Sequence, residues 1–87
     1  MKPQLTTNNT SAPRALCEIA SDIRANWPKP YFGAVPYLDA MSTMHRVDDA
    51  YGCDPGAEIV NYFLANATTW RGDVARRIKA ELKALIK

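Results

Sequence analysis

The last eighteen residues of the chain carry an apolar side chain at every third or fourth position. These residues are Trp70, Val74, Ile78, Leu82 and Leu85. Because an α-helix has about 3.6 residues per turn, this spacing puts all five side chains on one helical face. Such a face must be buried against other elements, so the segment predicts a helix that packs within a domain.

A similar spacing predicts a first helix over residues 12–27. Its apolar positions are Leu16, Ile19, Ala20, Ile23 and Trp27. A small polar N-cap at residue 11 or 12 and Pro13 in the first turn, where a missing N–H costs nothing, favour the start. Pro28 ends the helix because it disfavours the α conformation of the residue before it.

A second helix is predicted over residues 36–51, with Pro36 at its first position and Gly52 as its left-handed stop. The apolar stripe consists of Tyr37, Met41, Met44, Val47 and Tyr51. Two methionines on one stripe are typical of a core that needs flexible side chains to fill gaps.

A third helix is predicted over residues 55–67, with Asp54 as N-cap and Pro55 as first residue. Its buried face would consist of Ile59, Val60, Phe63, Leu64 and Ala67. The fourth helix, over residues 70–86, has Gly72 in its first turn, which weakens its start.

Four helices with short connectors predict an all-α fold, a four-helix bundle-like domain over residues 11–87 that follows a flexible tail over residues 1–10. At 87 residues the chain makes one domain, and its core alone is marginal. Oligomerisation, most simply a homodimer, would add buried apolar surface.

No stretch has the composition of a membrane span or a signal peptide, so we expect a soluble cytoplasmic protein with no membrane partner. Cys17 and Cys53 then read as free thiols in a reducing compartment. With one histidine and no CxxC pair, neither a metal site nor a cofactor is predicted.

Charge is unevenly distributed along the chain. Residues 70–87 hold six basic and two acidic residues, whereas residues 39–58 hold five acidic residues and one arginine. A basic stripe on the fourth helix consists of Arg76, Lys79, Lys83 and Lys87, with Arg71 nearby. It could bind a protein partner or nucleic acid or only face solvent, and the opposite charges could pair within one chain or between two.

The irregular segment over residues 28–36 is rich in proline and aromatic residues. One interpretation is a loop that Tyr31 and Phe32 pin to the core. The other is a rigid recognition surface that includes Tyr37, because preorganised aromatic side chains are favoured at interfaces.

No motif predicts catalysis, and we expect no enzyme activity. The enzymatic alternative uses His45 as a base that Asp48 or Asp49 orients, or uses Cys17 or Cys53 as a nucleophile. A pocket containing His45 with an acid and a thiol within hydrogen-bond reach would favour that alternative.

Two segments carry a resemblance to known proteins. They are residues 27–41, WPKPYFGAVPYLDAM, and residues 63–79, FLANATTWRGDVARRIK. The chain resembles a family of short proteins encoded in bacteriophages and prophages, which has no assigned active site. The resemblance implies an accessory protein that binds a host protein, most concretely an inhibitor of a host defence complex.

The residues available for such binding are Tyr31, Phe32, Tyr37, Arg71, Arg76, Lys79 and Lys83. The alternative is a module that binds nucleic acid or a signal nucleotide through the basic face of the last helix.

Overall fold

The computed structural model describes residues 14–51 and 54–86, with Tyr51 described by its backbone alone. Within these residues the chain forms four α-helices, a short 3-10 helix and a pair of two-residue strands. In chain order these are α1 (Leu16–Asn26), the 3-10 helix (Phe32–Ala34), α2 (Val35–Met41), β1 (Ala50–Tyr51), β2 (Asp54–Pro55), α3 (Gly56–Ala65) and α4 (Asp73–Leu85). The all-α prediction is confirmed.

Several predicted features lie outside the described residues. They are the tail over residues 1–10, the helix start near residues 11–13, Gly52 as a helix stop, Cys53 and Lys87.

Helix α1 ends where Pro28 predicts, but it begins at Leu16, so the predicted helical conformation is wrong at Arg14 and Ala15. The backbone N–H groups of Leu16 and Cys17 donate to the carbonyls of His45 and Met44, at 3.0 and 2.8 Å. A distant segment thus satisfies N–H groups that a helix leaves unpaired in its first turn, which the local sequence does not reveal.

The prediction of a helix over residues 36–51 is wrong for its second half, because α2 stops at Met41. The hydroxyls of Ser42 and Thr43 donate to the carbonyls of Leu38 and Ala40, both at 2.8 Å. Such side-chain bonds compete with the continuing helix. The chain then turns through residues 42–49.

Strand β1 pairs antiparallel with β2, with Ala50 opposite Pro55. The predicted cap of the third helix is therefore shifted, since Pro55 is the N-cap and Asp54 belongs to the strand. The N–H groups of Gly56 and Ala57 donate to the carbonyls of Asp49 and Val47, at 2.7 and 2.8 Å. The turn after α2 thereby caps α3 as well as α1.

Helix α4 begins at Asp73, so its predicted start at residue 70 is wrong. Gly72 has φ = 109°, a backbone conformation that residues with a Cβ rarely adopt, and it separates Trp70 from the helix. Trp70 is nevertheless buried.

One apolar core joins the four described helices. Helix α1 packs against α2 and α4, and α3 packs against the same two helices. The Trp27 and Trp70 rings stack with centroids 5.5 Å apart, and Phe63 meets Trp27 edge-on at 6.3 Å. Met41 and Met44 are buried, which confirms their predicted core role. None of the helices in the described part of the chain is long and apolar enough to cross a membrane.

Candidate functional site

The 3-10 helix holds the most exposed large apolar side chain among the described residues. Phe32 is 79% exposed and Tyr31 is 44% exposed, whereas Ala34 is fully buried. The N–H of Ala34 donates to the carbonyl of Tyr31 at 2.8 Å, which closes the turn. The interpretation that Phe32 pins this loop to the core is therefore wrong, because Ala34 occupies the core and Phe32 meets solvent.

Contact with the end of α3 fixes the position of this turn. A Cβ atom on Gly33 would lie 2.7 Å from Oδ1 of Asn66 and 2.7 Å from the ring of Tyr31, both too close for real atoms. Asn66 also donates from Nδ2 to the carbonyl of Tyr62 at 2.8 Å. Glycine at position 33 thus lets the turn, the Tyr31 ring and α3 approach closely.

A second pair of aromatic rings lies on α2 and α3. The Tyr37 and Tyr62 rings have centroids 5.5 Å apart, and the Tyr31 and Phe32 rings have centroids 4.7 Å apart. Tyr62 is 46% exposed and Tyr37 is half-buried. We name these four residues the aromatic surface.

Sequence reasoning missed Tyr62, although a signal was available. The apolar face of α3 accounts for the neighbouring residue Phe63, which is buried. Tyr62 lies off that face, so a large aromatic side chain there has no place in the core.

The predicted basic residues are not equivalent in the structure. The Lys79 Nζ donates to the carbonyl of Trp70 at 2.6 Å, and Arg76 is paired with Asp73. Partial burial lowers the pKa of Lys79, and the nearby charges of Lys83 and Arg71 lower it further. Lys79, Lys83 and Arg71 therefore form a group of neighbouring cations.

Acidic residues pair with basic residues inside the chain. Asp39 binds Arg24, which joins α2 to α1. Asp48 binds Arg46 at 2.8 Å. Both acids bind arginines outside the predicted basic stripe, so pairing of the stripe with residues 39–58 within one chain is not seen at these two positions.

The most extensive ion pairing is at the start of α1. Arg14 donates to both carboxylate oxygens of Glu81, at 2.9 and 2.7 Å, and to Asp22 at 3.2 Å. The hydrogen bond to Glu81 is the main cause that raises the pKa of Arg14. This arginine joins the start of α1 to α4.

The structure brings His45 together with Cys17. Nδ1 of His45 lies 3.8 Å from Sγ of Cys17, which is within hydrogen-bond reach for sulfur. Asp48 binds Arg46, and Asp49 accepts the backbone N–H groups of His45 and Arg46, both at 3.0 Å. The expectation that an aspartate orients the imidazole is therefore not met, since the acids contact the turn and the thiol contacts the ring.

A groove of about 440 Å³ is lined by His45 and by Leu16, the residue before Cys17. Its polar side includes His45 and Arg46, and its apolar side consists of Leu16, Val47 and Leu85. Within residues 14–51 and 54–86, no group of three or more histidine, cysteine, aspartate or glutamate residues is arranged to hold a metal ion.

Comparisons with family models, with curated proteins and with solved structures found no match to this chain. The resemblance to phage-encoded proteins therefore stays a prediction that rests on the two segments quoted above.

Proposed function

We propose that this chain is a non-enzymatic binding protein that docks onto another protein through the aromatic surface of Tyr31, Phe32, Tyr37 and Tyr62. The single observation that carries the proposal is the exposure of Phe32, at 79%, on a backbone held in a closed turn. Burying a phenylalanine side chain contributes about 1.5–3 kcal/mol, and this chain leaves that contribution unused in its own fold.

Rigidity adds to the argument. The Gly33 contact with Asn66 and the burial of Ala34 fix the turn that bears Phe32. A side chain on an ordered backbone loses little conformational freedom on binding, and aromatic anchors dominate the energy of many interfaces. The helices serve in this proposal as a bundle-like scaffold for the surface.

The partner class comes from the resemblance to phage and prophage proteins. We propose a host protein in the bacterial cytoplasm, most concretely a component of a defence complex that the chain inhibits by stoichiometric binding. A pocket on that partner would receive Phe32, with Tyr31 and Tyr62 around it.

The test is a pull-down from host lysate with nuclease treatment and raised salt, comparing the wild type with Phe32→Ala. We expect one protein retained by the wild type, lost from Phe32→Ala, and kept by Arg77→Ala, an exposed position on α4 used as the matched control. Equal retention by Phe32→Ala and by the wild type would contradict the proposal.

A second candidate function is binding of nucleic acid or a signal nucleotide. It is favoured by the cations near Lys79, because partial burial lowers the pKa of Lys79 and the charges of Lys83 and Arg71 lower it further. Phosphate groups would relieve this repulsion, and the affinity would fall steeply with salt.

The double variant Arg71→Glu/Lys83→Glu tests the second candidate. It leaves the bond between Lys79 and Trp70 in place, so the fold should be retained. Loss of nucleic-acid binding in this variant but not in Phe32→Ala would support the second function, and retention would contradict it.

Self-association as a homodimer stays a prediction. Light scattering at tens of micromolar should return twice the 9.7 kDa mass of one chain. A species of 9.7 kDa would remove the dimer without affecting the proposed binding surface.

A further inference from the structure

Cys17 and His45 are held together by backbone bonds as well as by side-chain contact. Two hydrogen bonds, from Leu16 N to the His45 carbonyl and from Cys17 N to the Met44 carbonyl, join the start of α1 to the turn after α2. The Asp49 carboxylate fixes that turn by accepting the N–H of His45. Cys17 and His45, which are 28 positions apart in sequence, are thus held side by side. Their 3.8 Å contact between Sγ and Nδ1 follows from these backbone bonds.

We propose that Cys17 and His45 form a thiol–imidazole pair that is a site of covalent modification by small neutral electrophiles, of which peroxides are the natural class. The site is independent of the aromatic surface. His45 is exposed and Cys17 is half-buried, and the groove that His45 and Leu16 line has room for a small molecule.

The imidazole provides a base for the thiol. The Cys17 proton moves to Nδ1 of His45, and the thiolate attacks one peroxide oxygen. A sulfur–oxygen bond forms while the oxygen–oxygen bond breaks, and the leaving hydroxide takes the proton from the imidazolium to give water. Sulfur is oxidised by two electrons to sulfenic acid, and the peroxide is reduced by the same two.

The charges around the groove favour a neutral reagent over an anion. Arg14 is bound by Glu81 and Asp22, and Arg46 is bound by Asp48. Both arginines of the groove are therefore engaged with carboxylates.

Acyl transfer is disfavoured by the same backbone bonds that build the pair. A tetrahedral intermediate needs N–H donors aimed at its oxyanion. The N–H groups of Leu16 and Cys17, which lie nearest the thiol along the chain, already donate to carbonyls. The geometry therefore points to modification of the thiol itself.

Alkylation of the full chain by iodoacetamide measures the reactivity of this thiol. Trypsin separates the two cysteines, because Cys17 falls in peptide 15–24 and Cys53 in peptide 47–71. We expect the Cys17 peptide to be alkylated faster in the native protein than in the urea-unfolded protein. A slower native rate would overturn the proposal without any variant.

The variant His45→Ala tests the base. Its alkylation rate at Cys17 should fall by about tenfold or more, as expected when a positioned base is removed. Asp48→Asn, which changes the groove without touching the pair, is the matched control and should keep the wild-type rate. Circular dichroism confirms that both variants fold, and an unchanged rate in folded His45→Ala would overturn the proposal.

Peroxide treatment followed by dimedone tests the oxidation product. We expect a dimedone adduct on the Cys17 peptide of the wild type and a reduced amount in His45→Ala. Absence of the adduct from the wild-type Cys17 peptide would overturn the assignment of peroxide as the reagent.

Discussion

Two groups of aromatic side chains meet opposite environments in this protein, although Trp27 of the first group is only a few residues from Tyr31 and Phe32 of the second. Phe63 and Trp70 each pack against Trp27 in the core, whereas Tyr31 and Phe32 are exposed to solvent. Trp70 also donates from Nε1 to the carbonyl of Asn26 at 3.3 Å. The first group contributes its burial to folding, whereas the second leaves its apolar surface exposed.

Among these variants, removal of the Trp70 side chain should cause the largest loss in the free energy of unfolding. Trp70→Ala loses the ring stack on Trp27, the bond to Asn26 and a large buried volume, so we expect a loss of about 3–5 kcal/mol in the free energy of unfolding. Urea denaturation followed by circular dichroism measures it. A loss no greater than that of Phe32→Ala would show that the two groups do not differ in role.

Phe32→Ala should produce the reverse pattern. We expect the free energy of unfolding to change by less than about 0.5 kcal/mol, because the Phe32 side chain is exposed. Affinity for the captured partner should fall by about 1–3 kcal/mol. Calorimetric titration against the purified partner measures the affinity. A large loss of stability with unchanged affinity would show that Phe32 serves folding rather than binding.

Gly33→Ala sharpens the contrast by moving a ring without deleting it. The new Cβ would collide with the Tyr31 ring and with Oδ1 of Asn66, so both side chains must shift. We expect a stability cost of about 1 kcal/mol from overpacking. Tyr31→Ala/Gly33→Ala, which removes one colliding group, should recover part of that stability, and no recovery would mean that Tyr31 does not pack on the turn.

Acidification should destabilise the turn after α2 without affecting either aromatic group. Hydrogen bonds from the backbone N–H groups of Arg46 and His45 lower the pKa of Asp49, and the Arg46 side chain lowers the pKa of Asp48, each from an ordinary value of 3.8. A carboxyl with a lowered pKa in the folded state stabilises the protein above its unfolded pKa, and that contribution is lost as the pH falls through the folded value.

The turn should therefore persist at pH 5 and loosen below about pH 4, while the tryptophan pair stays packed. Amide chemical shifts of His45 and Arg46 report the turn, and near-ultraviolet circular dichroism reports the tryptophans. In Asp49→Asn the shift of the His45 amide with pH should be reduced. Simultaneous loss of both signals in the wild type would contradict independent behaviour of the two regions.

Much of the fold could be predicted because helical periodicity is a local property. The buried faces of α1, α3 and α4 and the end of α1 before Pro28 agree with the sequence patterns. The burial of Met41 and Met44 also agrees with the sequence pattern, although α2 ends at Met41 and Met44 lies in the turn that follows.

The candidate sites could be predicted only in part. Tyr31 and Phe32 were identifiable because prolines and Gly33 mark an ordered, irregular segment. Whether Phe32 faces the core or solvent depends on Ala34 filling the core position, and the pairing of Cys17 with His45 depends on a contact across 28 residues. Neither is encoded in local spacing.

The sequence by itself determined the all-α fold class, because apolar residues at spacings of three and four can be buried together only on helices. Tertiary structure alone decided where the helices stop and which polar groups meet. The apolar pattern of residues 42–49 would allow the helix to continue. Instead, the hydroxyls of Ser42 and Thr43 and the carboxylate of Asp49 bond to the backbone within or next to the turn. The first-turn N–H groups of α1 and α3 donate to other backbone carbonyls of the turn. Backbone groups take whichever partners the whole fold supplies, and some of those partners, such as the N–H groups of Leu16 and Cys17, lie far away in sequence.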